Sequence, residues 1–207
     1  YAPGKIPILF VHGTEGTPYN WIYFYMRLDQ SRYQPWFFYY PSGIRLPLAA
    51  ALLEEELQEL RQKYGFRKMA IVAHSVGGLT TRSFLARRSA RDKDDFVKLF
   101  VSLATPWSGF GAADASQVIV HKSIPSWVDM GKQSVFINSS LGEKLPGHVK
   151  HYIFYGKNDK ICGDKALDER AVRSAVKTLE FECTHDTILS DRKVFAEFKT
   201  ILEKELK

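Results

Sequence analysis

The stretch Ala70-Ile71-Val72-Ala73-His74-Ser75-Val76-Gly77-Gly78-Leu79 decides how the chain is read. The apolar run Met69–Ala73 suits a buried strand, and the residues from Gly78 to Arg88 suit a helix. Between them Ser75 stands at the tip of a tight turn. Ala73 and Gly77 flank it two residues away on each side. Small flanking residues are what a serine in a strained backbone conformation needs, because larger side chains would collide with the neighbouring strand and helix. Ser-x-Gly alone occurs by chance, and an ordinary structural turn is the competing interpretation. The apolar run before it and the amphipathic segment after it make the pattern specific.

This strand–serine–helix arrangement resembles the nucleophile elbow of the α/β-hydrolase superfamily, usually written G-x-S-x-G. The chain departs from it at Ala73, giving an Ala-x-Ser-x-Gly form similar to a variant in some small bacterial lipases. The resemblance implies that Ser75 is a nucleophile at the carboxyl ends of the strands. It also implies that the N–H of Val76, at the helix N-terminus, is an oxyanion donor.

Upstream, Ile6–Val11 reads as a short buried strand, followed by His12-Gly13-Thr14-Glu15-Gly16. In the superfamily a His-Gly at this point opens the oxyanion loop. The resemblance therefore implies Thr14 N–H as the second donor, with His12 and His74 lining the substrate site. Glu15 is a departure, since a carboxylate beside an oxyanion hole is unhelpful; it is expected to face solvent or a cation. Residues 17–29 read as a helix with Trp21, Phe24, Tyr25 and Leu28 on one face, and Pro35–Tyr40 as an aromatic strand. Tyr19 to Tyr40 holds eleven aromatics, most expected in the core and a minority in an acyl pocket. Leu46–Tyr64 reads as a long amphipathic helix with Leu53, Leu57, Leu60 and Tyr64 as its apolar stripe. Glu54, Glu55, Glu56 and Glu59 form its solvated face, not a metal site.

Downstream, Phe96–Leu103 is the next expected strand. It ends in Ala104-Thr105-Pro106-Trp107-Ser108-Gly109, which resembles the Thr-Pro-(aromatic)-x-Gly turn of lipases, lecithin:cholesterol acyltransferases and GPI inositol-deacylase-like hydrolases. The resemblance implies that Trp107 sits beside the active-site mouth. Residues 110–148 break the strand–helix alternation, with short helical patterns at Trp127–Lys132 and Val135–Leu141; in this superfamily such an insertion forms a cap. Val149–Tyr155 is a further strand running into Gly156-Lys157-Asn158-Asp159, where the superfamily places its catalytic acid. Asp159 is the choice, with Asp164 in the same loop as the competitor. Lys177–Cys183 is the last expected strand, His185 follows it, and Asp191–Leu206 closes the chain as a helix.

The base emerges by elimination among six histidines. His12 and His74 belong to the oxyanion loop and the elbow, and His121 lies in the expected cap. His148 and His151 precede or begin a strand, at the opposite end of the sheet from Ser75. His185 alone follows a strand, after the acid and before the final helix. A neutral imidazole there can take the Ser75 proton and return it to the leaving group, with a carboxylate fixing its tautomer. The order Ser…Asp…His is that of α/β-hydrolases.

In this fold the loops holding Cys162 and Cys183 follow neighbouring strands, so a Cys162–Cys183 disulfide is expected. It would close a loop of about 20 residues and contribute about 3 kcal/mol in the chain-entropy model. A disulfide implies a secreted or periplasmic protein, and free thiols a cytoplasmic one. Two cysteines and one nearby histidine are too few for a zinc site.

The 207 residues and 45% hydrophobic content suit one domain, residues 1–207, with a full core. No apolar run approaches a membrane span. No signal peptide is visible, though Tyr1 stands only five residues before the first strand, which leaves room for a removed leader. The net charge of +6 is scattered apart from Arg82–Arg91, so nucleic acid is not an expected partner, whereas transient contact with an anionic lipid surface is. The expectation is a reduced α/β-hydrolase fold: about six mostly parallel strands, helices on both faces and a small cap. Its function would be carboxylic-ester hydrolysis by Ser75, His185 and Asp159, in a monomer, on a small ester or lipid, with no cofactor and no metal. A thioesterase or acyltransferase with the same triad is the alternative, and a non-catalytic binding protein of this fold a more distant one.

Overall fold

The computed structural model describes residues 1–89, 96–110 and 124–207. Among the described residues six strands form, the inner ones from apolar runs and the last from the half-exposed edge sequence Lys-Thr-Leu-Glu-Phe: β1 (Ile6–Val11), β2 (Tyr33–Phe38), β3 (Met69–His74), β4 (Val97–Leu103), β5 (Lys150–Gly156) and β6 (Lys177–Phe181). They form one sheet in the order β2-β1-β3-β4-β5-β6, every pair parallel. Parallel neighbours require crossover connections, and those connections cover both faces of the sheet. Among the described residues the α-helices are α1 (Ile22–Arg27), α2 (Leu46–Tyr64), α3 (Val76–Ser89), α4 (Pro125–Asp129), α5 (Val135–Gly142), α6 (Glu169–Ser174) and α7 (Arg192–Glu205). None of the described helices is long and apolar enough to cross a membrane.

Alternation along the strands divides the core in two. Leu9, Val11, Ile71 and Ala73 face one layer with α2, α3 and α5. Ile8, Phe10, Ala70 and Val72 face the other with α1 and α7. The chain steps outward from β1 to β2 and then returns to the opposite side of β1 with β3. A crevice opens at such a reversal, outside the carboxyl ends of the two strands. The loops at that crevice carry Gly13 and Ser75.

Several boundaries differ from the sequence expectation. β2 spans Tyr33–Phe38 rather than 35–40 because it pairs residue for residue with β1, from Ile6 opposite Tyr33 to Val11 opposite Phe38. Pro35 is tolerated within it because β2 is an edge strand. The expected helix over 17–29 splits into a 3-10 turn, Pro18–Trp21, capped by Thr17, and α1. α2 matches its expected span. Its first turn is capped from afar: buried Asp129 accepts the Leu46 N–H at 2.8 Å and two bonds from Arg45, at 2.8 and 2.7 Å. Gly65, at φ +65°, ends it.

Of the expected cap, residues 111–123 and with them His121 lie outside the described residues. The helical pattern expected at Trp127–Lys132 occurs earlier, as α4. Met130, Phe136, Ile137 and Leu141 are buried in the same core layer as α3, so this part of the insertion is packed into the body of the domain.

Candidate active site

Ser75 follows β3 directly and has φ +53°, a conformation that costs a non-glycine residue about 1–3 kcal/mol. It is held there by its neighbours. The Ser75 N–H donates to Leu103 O at 2.8 Å, and Ser75 O accepts from the Gly78 N–H at 2.9 Å. A Cβ on Gly77 would lie 2.5 Å from His12 O, so only glycine lets α3 start this close to the end of β1.

Three residues far apart in sequence meet here. Ser75 Oγ–H donates to His185 Nε2 at 3.1 Å, and His185 Nδ1–H donates to Asp159 Oδ2 at 2.9 Å. The other Asp159 oxygen accepts the N–H groups of Ile161 and Cys162, each at 2.8 Å. Burial pushes the Asp159 carboxyl up, but the His185 bond and the two backbone bonds outweigh it and hold the group below its ordinary value. Asp164 lies in the 3-10 turn Gly163–Ala166; its side chain is outside what the structure describes.

Ser75 and His185 line a cavity of about 360 Å³ together with Gly13, Thr14, Glu15, Gly16, Asn20, His74 and Val76, and Asp159 stands behind His185. Phe110, Trp127, Met130 and Ile161 form an apolar wall. Val76 is the first residue of α3, so its N–H belongs to the donors a helix leaves unpaired. Among the described residues, neither the Val76 nor the Thr14 N–H has an acceptor. A Cβ on Gly13 would lie 2.7 Å from Ser75 Cβ, so the loop after β1 approaches the serine as closely as glycine permits. Glu15, at φ +56°, is exposed and donates its N–H to Ser42 Oγ at 2.8 Å.

His12 and His74 hold this arrangement from behind. His12 Nδ1–H donates to Gly13 O at 2.8 Å, its Nε2 accepts the Tyr40 N–H at 3.4 Å, and its ring stacks on Tyr40 at 4.6 Å. Burial lowers its pKa, more than the Gly13 bond raises it. His12 therefore braces the loop and does not line the cavity, in contrast to the expectation. His74 does line it. Its pKa is lowered to about 3, first by burial and then by neighbouring His185.

Trp107 also differs from expectation. It is fully buried, edge-on to Phe100 and to His151 at 6.4 and 5.5 Å. The turn Thr105–Gly109 directs it down behind α3, and Phe110, the next aromatic, faces the cavity instead. Sequence reasoning singled out none of Phe110, Trp127, Met130 or Ile161. Their joint placement depends on how the insertion folds back, which no local pattern encodes. The two backbone donors to Asp159 did have a signal, since an aspartate commonly accepts from N–H groups two and three residues on.

The expected Cys162–Cys183 disulfide is absent, and both residues are buried free thiols. Cys162 Sγ–H donates to Ala104 O at 3.2 Å, toward the exit of β4. Cys183 packs in the core layer of α1 and α7, against Gly156. The loops are neighbours but the thiols point apart, so the pair carries no information about compartment. Burial pushes the Cys162 thiol well up and that of Cys183 up to about 12. Titration with a disulfide reagent under denaturing, non-reducing conditions is expected to count two thiols per chain, and the native protein to react slowly. Among the described residues, Asp159, Cys162 and His185 bring metal-capable donor atoms within 4.8 Å of one another. Each is already engaged by the bonds above, which is not the arrangement of a vacant ion site.

A six-stranded parallel sheet with a strained serine between β3 and α3, hydrogen-bonded to a histidine after β6, defines an α/β-hydrolase fold. Over residues 45–185 the chain matches the family described as alpha/beta hydrolase of unknown function (DUF915), and it belongs to that family. A 57-residue segment is 42% identical to human lysosomal phospholipase A and acyltransferase. That segment is 28% of this chain and spans only 14% of that protein. The fold is similar to the mature form of the Bacillus licheniformis lipase BlEst2, with a TM-score of 0.76 and 20% identity over 97% of this chain and 93% of that one. It is also similar to the monoacylglycerol lipase of Paleococcus ferrophilus, with a TM-score of 0.66 and 15% identity over 97% and 95% of the two chains.

Proposed function

We propose that this protein is a serine hydrolase that cleaves carboxylic esters, lipid-like or small, through an acyl-enzyme. The observation that carries this reading is the relay Ser75–His185–Asp159, whose Ser75 and His185 line a cavity with one apolar wall. In the first half-reaction Ser75 Oγ attacks the ester carbonyl carbon while its proton passes to His185 Nε2. The Asp159 carboxylate holds the imidazole in the required tautomer and balances the imidazolium. The N–H groups of Thr14 and Val76 receive the oxyanion. Collapse expels the alkoxide, which takes the proton from His185. In the second half-reaction water attacks the acyl carbon, gives its proton to His185, and the serine is regenerated with the carboxylic acid released.

The apolar wall suits an acyl chain. Tyr19 and Val128, each next to a cavity residue, and Ile161 in the wall itself are exposed apolar side chains. With a net charge of +6 they support transient contact with an anionic lipid surface. Transfer of the acyl group to an alcohol uses the same intermediate, and the similarity to a phospholipase A and acyltransferase keeps it as the second reading.

Labelling with a fluorophosphonate, followed by peptide mass spectrometry, tests the reading. An adduct on Ser75 is expected. A set of p-nitrophenyl esters of increasing chain length, with and without glycerol as acceptor, then separates hydrolysis from transfer. No adduct, even with detergent or lipid vesicles present, overturns the proposal.

A further inference from the structure

His74 precedes the serine and reaches across to the base. Its Nε2 lies 2.9 Å from the backbone oxygen of His185, 111 residues away, and the two rings face each other at 4.7 Å and 48°. A carbonyl oxygen only accepts, so His74 Nε2 carries the proton and its Nδ1 does not. Both rings are buried. The segment bearing His185 leaves the sheet after Phe181. It is tied to the acid-bearing loop, with Cys183 O accepting the Asn158 N–H at 3.1 Å and Glu182 accepting from Lys157 Nζ at 2.7 Å, and locally Thr184 bonds to Thr187 and accepts the Ile188 N–H. Those bonds place the segment relative to the Asp159 loop rather than relative to the strand that carries Ser75. The His74 bond fixes its backbone to the end of β3, the same point from which Ser75 projects.

We propose that His74 is a positioning residue for His185, which ties the base-bearing segment to the nucleophile strand and sets the Ser75–His185 distance. This rests on reading His185 as the base. A neutral ring is needed in this place. A cationic one would face the imidazolium formed on His185 in each half-reaction and raise its energy. A misplacement of about 1 Å in such a contact lowers turnover about 100-fold, so the bond acts on kcat and leaves the substrate cavity in place.

Two variants separate the donor from the ring. His74→Phe keeps a planar ring and removes the donor; His74→Gln keeps an N–H able to reach the carbonyl. With p-nitrophenyl butyrate, His74→Phe is expected to lose roughly 10- to 100-fold in kcat with KM within about twofold, and His74→Gln to recover most of that loss. Equal kcat in the two variants, or wild-type kcat in His74→Phe, overturns the proposal. Ser75→Ala and His185→Ala run alongside. Activity surviving in those two refutes the underlying base reading, whereas their inactivity with a fully active His74→Phe refutes only the positioning role. Nitrogen-15 NMR of the histidine-labelled wild-type protein needs no variant to fold. The neutral Nε2–H tautomer of His74 is expected throughout about pH 5 to 8, and an Nδ1–H tautomer or a titration within that range refutes the bond.

Discussion

Ser75→Ala is expected to lower kcat on p-nitrophenyl esters by roughly 10⁴- to 10⁶-fold, with little change in KM. The hydroxyl contributes almost nothing to holding the ester, since the cavity is shaped by the apolar wall and by the loop after β1. It contributes the bond that forms in the transition state. His185→Ala is expected to cost nearly as much, and the double variant no more than either, because the two residues act as a unit. Asp159→Asn should cost somewhat less, roughly 10³- to 10⁴-fold, through the wrong imidazole tautomer. Stability offers a check that the loss is chemical. Alanine at φ +53° is as strained as serine, so the melting temperature of Ser75→Ala should stay near that of the wild type. Ser75→Gly removes the Cβ that makes this conformation costly and should be more stable by about 1 kcal/mol, though equally inactive. A Ser75→Ala enzyme retaining a tenth of wild-type turnover overturns the assignment of the nucleophile.

Local chemistry made much of the fold legible. α2 could be placed because Leu53, Leu57, Leu60 and Tyr64 form one apolar stripe, and Gly65 takes the left-handed position that ends it. The apolar runs became parallel strands because each is bounded by turn residues and is too short for a helix, whereas β6, Lys-Thr-Leu-Glu-Phe, is a half-exposed edge strand. Strand ends were less legible. Tyr39 and Tyr40 continue the aromatic run of β2, but β1 offers no partner beyond Val11, and Tyr40 turns to brace His12. At the site, the sequence order of Ser75, Asp159 and His185 was visible, and the structure brings the three together. Side-chain direction was not visible. Trp107 and Phe110 stand in one turn, and only packing decides that the first goes into the core and the second faces the cavity. Cys162 and Cys183 likewise stand in adjacent loops, yet one thiol is taken by the Ala104 carbonyl and the other by the core beneath β5 and β6.

The second large effect is on stability against acid. His12, His74 and His151 are buried, and burial is the first cause lowering each pKa: to about 3 for His74, well below 6.5 for His151, and below 6.5 by a lesser route for His12. His151 stacks on Phe100 at 4.5 Å and bonds Ser102 Oγ at 3.1 Å, an environment with no place for a cation. Below pH 6.5 the unfolded chain takes up protons on these residues while the folded chain does not. Stability therefore rises with pH across this window and falls as pH drops. His74 and His151 together give a slope of at most about 2.7 kcal/mol per pH unit, approached below the unfolded value, and His12 adds to it over part of the range. The stabilisation is complete above the unfolded value and is lost progressively toward the folded values, so for His74 the decline runs from about 6.5 to about 3. A domain of ordinary stability, about 5–15 kcal/mol, should unfold within a few pH units of neutrality. Asp159 and Asp168, both lowered in the folded state, add their own loss only at the acid end, where carboxylates protonate. Urea denaturation at a series of pH values between about 4.5 and 7 isolates the histidine part. His151→Phe, which keeps the stack on Phe100 and lies away from Ser75, should flatten the slope by at most about 1.4 kcal/mol per pH unit and leave turnover near the wild type. A slope unchanged in that variant means that His151 takes up its proton in the folded protein as readily as in the unfolded chain, so that burial does not hold it neutral.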